Sequence, residues 1–329
     1  MSIFAPYPAS RPRRLRQAAW IRELVRETRL HPSDLILPMF VTEGKNSETP
    51  ITSLPGVSRY SIDLLVKKAK EIKDAGIPAI ALFPQTDPAK KNERGEEALN
   101  KDNLICRTLK EIKSAVPEIG IICDVALDPY TTHGHDGILN NGNVMNDETI
   151  EILAKQALLM AESGCDIVAP SDMMDGRVAK IRYALEQSGH TNTLILSYSA
   201  KYASAMYGPF RDAVGSAKST PLDKRSYQMD PANADEAMKE IALDIAEGAD
   251  MVMVKPGIAY LDIVARAAKE FPVPVLAYQV SGEYAMIKAA AANGWIDGNG
   301  VMLEQLLAFK RAGASAILTY AAFDVARAL

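Results

Sequence analysis

Two lysines carry the most reactive chemistry in this 329-residue chain. Lys255 closes the apolar run Met251-Val252-Met253-Val254, and Lys201 lies just past the run 193–197, in Ser197-Tyr198-Ser199-Ala200-Lys201-Tyr202. A free lysine, with a pKa of ~10.4, is protonated at neutral pH and cannot attack a carbonyl. It becomes a nucleophile when burial or a second cation discourages the ammonium form. Two lysines converging on one apolar mouth supply both conditions. For either lysine alone, the plain alternative is an ion pair with a carboxylate. Two loops are also chemically loaded. Asp124 to Gly137 contains His133 and His135 flanked by aspartates, readable as a metal site or as a polar loop with satisfied imidazoles. The second, Tyr207-Gly208-Pro209-Phe210-Arg211-Asp212 through Asp223-Lys224-Arg225-Ser226-Tyr227-Gln228, is basic and aromatic with Gly and Pro hinges. That composition suits a lid over an anionic substrate, or a solvated basic loop.

A repeating unit must position these groups: a helix, a glycine stop, then a short apolar run. Lys73-Asp74-Ala75-Gly76, Glu162-Ser163-Gly164, Glu247-Gly248-Ala249 and Arg311-Ala312-Gly313 are plain copies. Glycine just past a last helical turn takes the left-handed conformation that ends the helix. An apolar run buried on both faces reads as a parallel strand. Strands are expected at 35–41, 77–83, 119–124, 166–170, 193–197, 251–255, 275–279 and 316–320. Helical patterns fall at 62–75, 103–115, 148–163, 177–187, 234–247, 261–270, 284–293 and 301–311. Eight alternations predict an α/β fold, a closed (β/α)8 TIM barrel, which places function at the carboxyl ends of its strands. A doubly wound open sheet is the rival, but no GxGxxG follows any strand. The strand ends then collect Asp124, Ser171-Asp172, Lys201, Lys255, Ser281-Glu283 and Tyr320.

Residues 1–30 differ. They hold seven arginines, with Glu23 and Glu27 as the only acids and Pro6, Pro8 and Pro12 keeping the start extended. The expected organisation is an extended N-terminal arm over 1–30, packing on a neighbouring subunit, and a catalytic barrel over 31–329. The glutamates and prolines argue against a mitochondrial targeting segment. The rest of the composition excludes several classes. With 48% hydrophobic residues and 24% charged, there is material for a large core. Lys+Arg of 37 against Asp+Glu of 41 gives a net charge of −4, a poor basis for general nucleic-acid binding. No apolar run approaches the ~18–20 residues of a membrane span. Cys106, Cys123 and Cys165 have no CxxC spacing and fit a reducing, cytoplasmic setting.

Five strings in order resemble the δ-aminolevulinic acid dehydratase (porphobilinogen synthase) family over essentially the whole chain. They are Tyr198-Ser199-Ala200-Lys201-Tyr202-Ala203-Ser204, Tyr207-Gly208-Pro209-Phe210-Arg211-Asp212-Ala213, Ser226-Tyr227-Gln228-Met229-Asp230-Pro231, Met253-Val254-Lys255-Pro256-Gly257 and Val280-Ser281-Gly282-Glu283-Tyr284. The resemblance implies a TIM barrel with an N-terminal arm, assembled as a homo-octamer. It also implies condensation of two 5-aminolevulinate molecules to porphobilinogen, in tetrapyrrole (heme) biosynthesis, through Schiff bases on Lys201 and Lys255. By matched position, Asp124 would assist proton transfers. Arg211, Lys224 and Gln228 would grip one substrate carboxylate, and Ser281 and Tyr320 would hydrogen-bond a carboxylate. Many members carry three cysteines after the Asp124 position and bind a catalytic zinc there. Here those positions read Ala126, Asp128 and Asp136, so no catalytic zinc is expected; the aspartates suit at most a weak cation site for Mg²⁺ or a monovalent ion. The aspartate-rich variant implies an allosteric Mg²⁺ at Glu240, with Asp172 in its outer shell; the plain alternative is an acid facing water from the helix 234–247. The rival functions are a single-lysine Schiff-base aldolase on the same barrel and a binding barrel without chemistry.

Overall fold

The computed structural model describes residues 5–215 and 223–329. Eight parallel strands run in the order β1 (Leu35–Thr42), β2 (Ala79–Pro84), β3 (Gly120–Val125), β4 (Ile167–Pro170), β5 (Leu194–Lys201), β6 (Met251–Lys255), β7 (Val275–Gln279) and β8 (Ala316–Thr319). β8 returns to pair with β1, Leu35 opposite Ile317 and Ile36 opposite Leu318, which closes the barrel. Two short strands, Glu48–Pro50 and Ser58–Ser61, extend the sheet beyond β1. The strands are rich in Ile, Val, Leu and Ala because their outer faces meet helices while their inner faces fill the barrel.

Each helix buries one stripe. In α1 (Ile62–Asp74) the stripe is Leu65, Ala69 and Ile72, spaced four and three residues apart, with Asp63, Lys67 and Lys70 turned away from it. The glycine stops behave as their positions require: Gly248 has φ +106° and Gly313 φ +105°, a conformation that a Cβ would strain. The surrounding helices continue as α2 (Leu104–Ala115), α3 (Asn146–Glu162), α4 (Arg177–Gln187), α5 (Asp235–Ala246), α6 (Leu261–Glu270), α7 (Ser281–Ala292), α8 (Gly298–Ala312) and α9 (Ala322–Ala326).

Three details depart from the expected pattern. A short α9 follows β8, where no helix was expected, while α7 and α8 share the β7–β8 connection as their ranges required, so strand and helix do not alternate one to one. In the arm, helical spacing over 17–30 yields only one α-helical stretch, Ala19–Leu24, preceded by a 3-10 turn at Pro12–Leu15. Six residues nucleate a helix poorly without packing, and here nothing in either turn is buried. Trp20 and Leu24 are about 70% exposed. Finally, β5 does not stop at Ser197 but runs on to Lys201. Tyr198 and Ser199 look like loop residues in one dimension, yet the strand carries polar side chains where its end reaches the barrel mouth.

Candidate active site

The β5 extension places both lysines at one level of the barrel. Lys201 and Lys255 end adjacent parallel strands and are direct register partners, after an irregularity between Val252 and Val254. Both are buried, at 5% and 7% exposure. Their surroundings differ. Lys255 Nζ sits among aromatic faces, 4.9 Å from the Tyr198 ring centre, 5.0 Å from Tyr278, 5.2 Å from Phe210 and 5.3 Å from Tyr207. Rings stabilise a cation more weakly than a carboxylate would. Burial first, and the neighbouring Lys201 second, push the Lys255 ammonium down to about 7, against the pull of Asp124, Asp128 and Asp136. Lys201 instead has polar partners: its Nζ donates to the carbonyl oxygen of Ser171 and lies 3.8 Å from Asp136 Oδ1.

Asp124 reaches the same space from the end of β3. It is partly buried, hydrogen-bonded by Ser171, and raised above the usual carboxylate range by desolvation despite both lysines. Its Oδ1 has no hydrogen-bond partner among the described residues, as befits a carboxylate free to exchange a proton with something bound there.

The loop after β3 supplies Asp128 and Asp136. Burial opposes a charge on Asp136, but Lys201, Lys224 and a hydrogen bond from Tyr227 outweigh it and hold the group ionised; Lys224 Nζ lies 3.1 Å from Asp136 Oδ2. Burial, then the charge on Asp136, push Asp128 up to about 7. Asp136 is thus the more firmly ionised of the two aspartates, and it faces ammonium groups. Neither histidine reaches for a metal. His133 accepts at Nδ1 from the His135 backbone N–H, so its Nε2 carries the proton it gives to the Glu93 carbonyl at 3.1 Å; His135 Nδ1 is 3.0 Å from the Tyr227 hydroxyl. Among the described residues no cluster of three His, Cys, Asp or Glu side chains could hold a metal ion.

The remaining expected residues surround this centre. Arg211 lies half-buried in the short helix Gly208–Ala213, beside the Lys255 aromatics. Gln228 is buried, and its backbone N–H donates to Lys224 O at 2.8 Å. Ser281 Oγ accepts from Phe210 N at 3.0 Å and donates to Met206 O at 3.2 Å, and the Tyr320 hydroxyl meets Tyr278 at 3.1 Å. The part of the basic segment between 216 and 222 lies outside the described residues.

Glu240 and Asp172 are not at this centre. Glu240 lines a cavity of about 330 Å³ with Asn146, Asp175, Gln228 and Glu236, and burial raises its carboxyl. Asp172 is buried in an ion network: its Oδ1 accepts from Met174 N and its Oδ2 lies 3.6 Å from Arg177 Nε, while Arg177 grips Asp244 with two bonds of 3.1 Å. Arg177 thus stands between the two acids.

Sequence reading missed the aromatic cage, and it placed Ser171 and Glu283 at strand ends without giving either a role. Glu283 accepts from Ile258 N at 2.6 Å and Val280 N at 2.7 Å, tying the turn after Lys255 to the end of β7. Its place just after a strand end was the available signal.

Fold and site together define a (β/α)8 barrel with a pair of buried lysines at its mouth. The chain belongs to the delta-aminolevulinic acid dehydratase family, whose model matches residues 9–328. It is 58% identical over 321 residues to the delta-aminolevulinic acid dehydratase of Bradyrhizobium diazoefficiens, covering 98% of this chain and 91% of that one. With the Rhodobacter capsulatus enzyme of that name it shares 52% over 318 residues, covering 97% and 96%. A crystal structure of delta-aminolevulinic acid dehydratase (porphobilinogen synthase) from Toxoplasma gondii, in complex with the reaction product porphobilinogen, superposes with a TM-score of 0.95 at 48% identity, covering 97% and 91%.

Proposed function

We propose that the protein condenses two molecules of 5-aminolevulinate into porphobilinogen with loss of two waters, holding each substrate as a Schiff base on Lys201 or Lys255. The observation that carries this reading is the register pairing of two buried lysines at the barrel mouth. One suffices for an aldolase; two supply a separate carbonyl trap for each ketone. A neutral amine attacks the ketone carbon, water leaves, and the resulting imine draws electrons from the neighbouring C–H bond. With a value near 7, about half of Lys255 is free amine at neutral pH. Asp124, partly buried and partly unpartnered, takes and returns protons beside both amines.

The anchors for the substrate carboxylates divide by side. Lys224, through Asp136, belongs with Lys201, and Gln228 follows it in the chain. Ser281 and Tyr320 belong with the Lys255 cage, joined to it by Phe210 and Tyr278, while Arg211, next to Phe210 in the chain, would join Lys224 and Gln228 on the other carboxylate. Borohydride reduction in the presence of 5-aminolevulinate, followed by peptide mapping, tests the reading. Adducts are expected on both lysines; an adduct on neither overturns the reading, and an adduct on Lys255 alone points to a single-lysine aldolase.

The donor sets bear on the metal. A catalytic zinc does not fit: Ala126 offers no ligand, and Asp136 is taken up by two ammonium groups. Mg²⁺ fits the Glu240 cavity, where oxygen donors dominate and a half-buried carboxylate is raised by burial. Glu240 would hold the ion, which would supply charge neutralisation beneath the segment carrying Tyr227 and Gln228. Asp172, engaged by Arg177, would act only at second remove. The exposed apolar side chains of the arm, Leu15, Trp20 and Leu24, support a homo-octamer in which the arm covers a neighbouring copy. No helix among the described residues is long and apolar enough to cross a membrane.

A further inference from the structure

The basic segment and the loop after β3 meet at one phenol. Tyr227 follows Lys224 by three residues, and its hydroxyl lies 3.0 Å from His135 Nδ1 and 3.4 Å from the backbone nitrogen of Asp136. It also reaches the Asp136 carboxylate. The ring meets the His135 imidazole edge-on, with centres 6.1 Å apart. These contacts use the hydroxyl fully. Its oxygen accepts from the Asp136 N–H and from an Nδ1–H of His135, and its single proton goes to the Asp136 carboxylate. That carboxylate is the one placed between Lys224, at 3.1 Å, and Lys201, at 3.8 Å.

We propose that Tyr227 is a positioning residue for the Lys201 half of the reaction: it clasps the basic segment onto the loop after β3, and so sets the carboxylate that is shared by Lys201 and Lys224. The proposal rests on Lys201 and Lys255 both forming Schiff bases. Its distinctive consequence is one-sidedness. The clasp touches Asp136, His135 and the Lys224 segment, whereas the Lys255 amine is surrounded by Tyr198, Tyr207, Phe210 and Tyr278 and feels Asp136 only as the weakest of three carboxylates. Loss of the hydroxyl should therefore disturb capture of one substrate and spare the other. The part-buried Tyr227 hydroxyl sits about 90 residues along the chain from its partners, so the contact is a tertiary one and not a turn.

The test compares Tyr227→Phe with the wild-type full chain by borohydride trapping of 5-aminolevulinate, quantified separately at Lys201 and Lys255. Removing a part-buried hydroxyl with several hydrogen-bond partners, while keeping the ring, should slow trapping at Lys201 roughly tenfold and leave Lys255 within about twofold. The KM for 5-aminolevulinate should rise, with Tm little changed. His135→Leu should reproduce the selective loss, while His135→Asn, whose amide can donate near the place of Nδ1, should recover most of it. These two variants also carry the test if Tyr227→Phe folds poorly. Equal slowing at both lysines, or no slowing at either, overturns the clasp. Wild-type protein that traps substrate on neither lysine instead overturns the Schiff-base reading on which the clasp rests, so the two failures are distinguishable.

Discussion

Replacing Lys201 by methionine should raise the pKa of Lys255, and the size of the rise follows from the geometry. Lys201 and Lys255 are register partners on adjacent strands, and such strands lie ~4.8 Å apart. Two ammonium groups about 6 Å apart, in a medium of effective dielectric ~20, repel by roughly 3 kcal/mol. That corresponds to about 2 pKa units. Burial is the larger cause of the Lys255 depression and remains in the variant; Asp124, Asp128 and Asp136 also remain and favour the ammonium. The midpoint for capture of 5-aminolevulinate by Lys255 should thus move from about 7 to roughly 8–9. At pH 7 the free-amine fraction would fall from about half to a few per cent. The assay is the rate of borohydride trapping at Lys255 alone, read by mass spectrometry between pH 6 and 10. Trapping should rise with pH through the midpoint, because the reactive form is the deprotonated one. Lys201→Arg is the companion variant: it cannot form an imine but keeps the positive charge, so its midpoint should stay near 7. A Lys201→Met midpoint that does not move would refute charge repulsion and leave burial as the whole cause. A shift of equal size in Lys201→Arg would assign the effect to packing.

Asp124→Asn should leave trapping at both lysines intact while pyrrole formation falls by about 10²–10⁴-fold, the usual weight of a positioned proton-transfer group; a fall under about tenfold in the turnover assay would remove Asp124 from the mechanism. Arg177→Met should lower stability by about 3–5 kcal/mol in urea unfolding, because Asp172 and Asp244 are left buried without their cation. Adding Asp244→Leu should recover part of the loss, and a single-variant cost below about 1 kcal/mol would show that the network is not dry. After chelation, Mg²⁺ added back should stimulate the wild type and leave Glu240→Gln at its metal-free rate, with Mg²⁺ binding weakened in calorimetry; stimulation restored by Zn²⁺ alone would overturn the assignment of oxygen donors to the metal.

The strands and helices of the barrel were readable in the sequence because their signals are local. A run such as Met251-Val252-Met253-Val254 declares a strand buried on both faces, and Gly248 or Gly313 declares a helix end, without reference to the rest of the chain. The end of β5 was misjudged for the same reason. Tyr198 and Ser199, just past the expected end at Ser197, do not continue the apolar signal, since a strand that reaches the barrel mouth carries polar groups where its neighbours carry aliphatic ones. The two helices between β7 and β8 were legible, and so was their shared connection, because chain order alone places both patterns between the last two strands.

By itself, then, the sequence determined a closed barrel, an arginine-rich arm set apart from it, and two lysines at strand ends with the means to become nucleophiles. Only the tertiary structure decided how those lysines differ. It wrapped Lys255 in four aromatic rings and gave Lys201 the Ser171 carbonyl and the Asp136 carboxylate. It also turned Asp136 from a possible cation ligand into a counter-ion, and joined it to Tyr227 and Lys224 across some ninety residues. The physical reason is range. Periodicity and glycine stops act within a few turns of chain, whereas the charge on a buried group is set by whatever the closed barrel brings within a few ångströms of it.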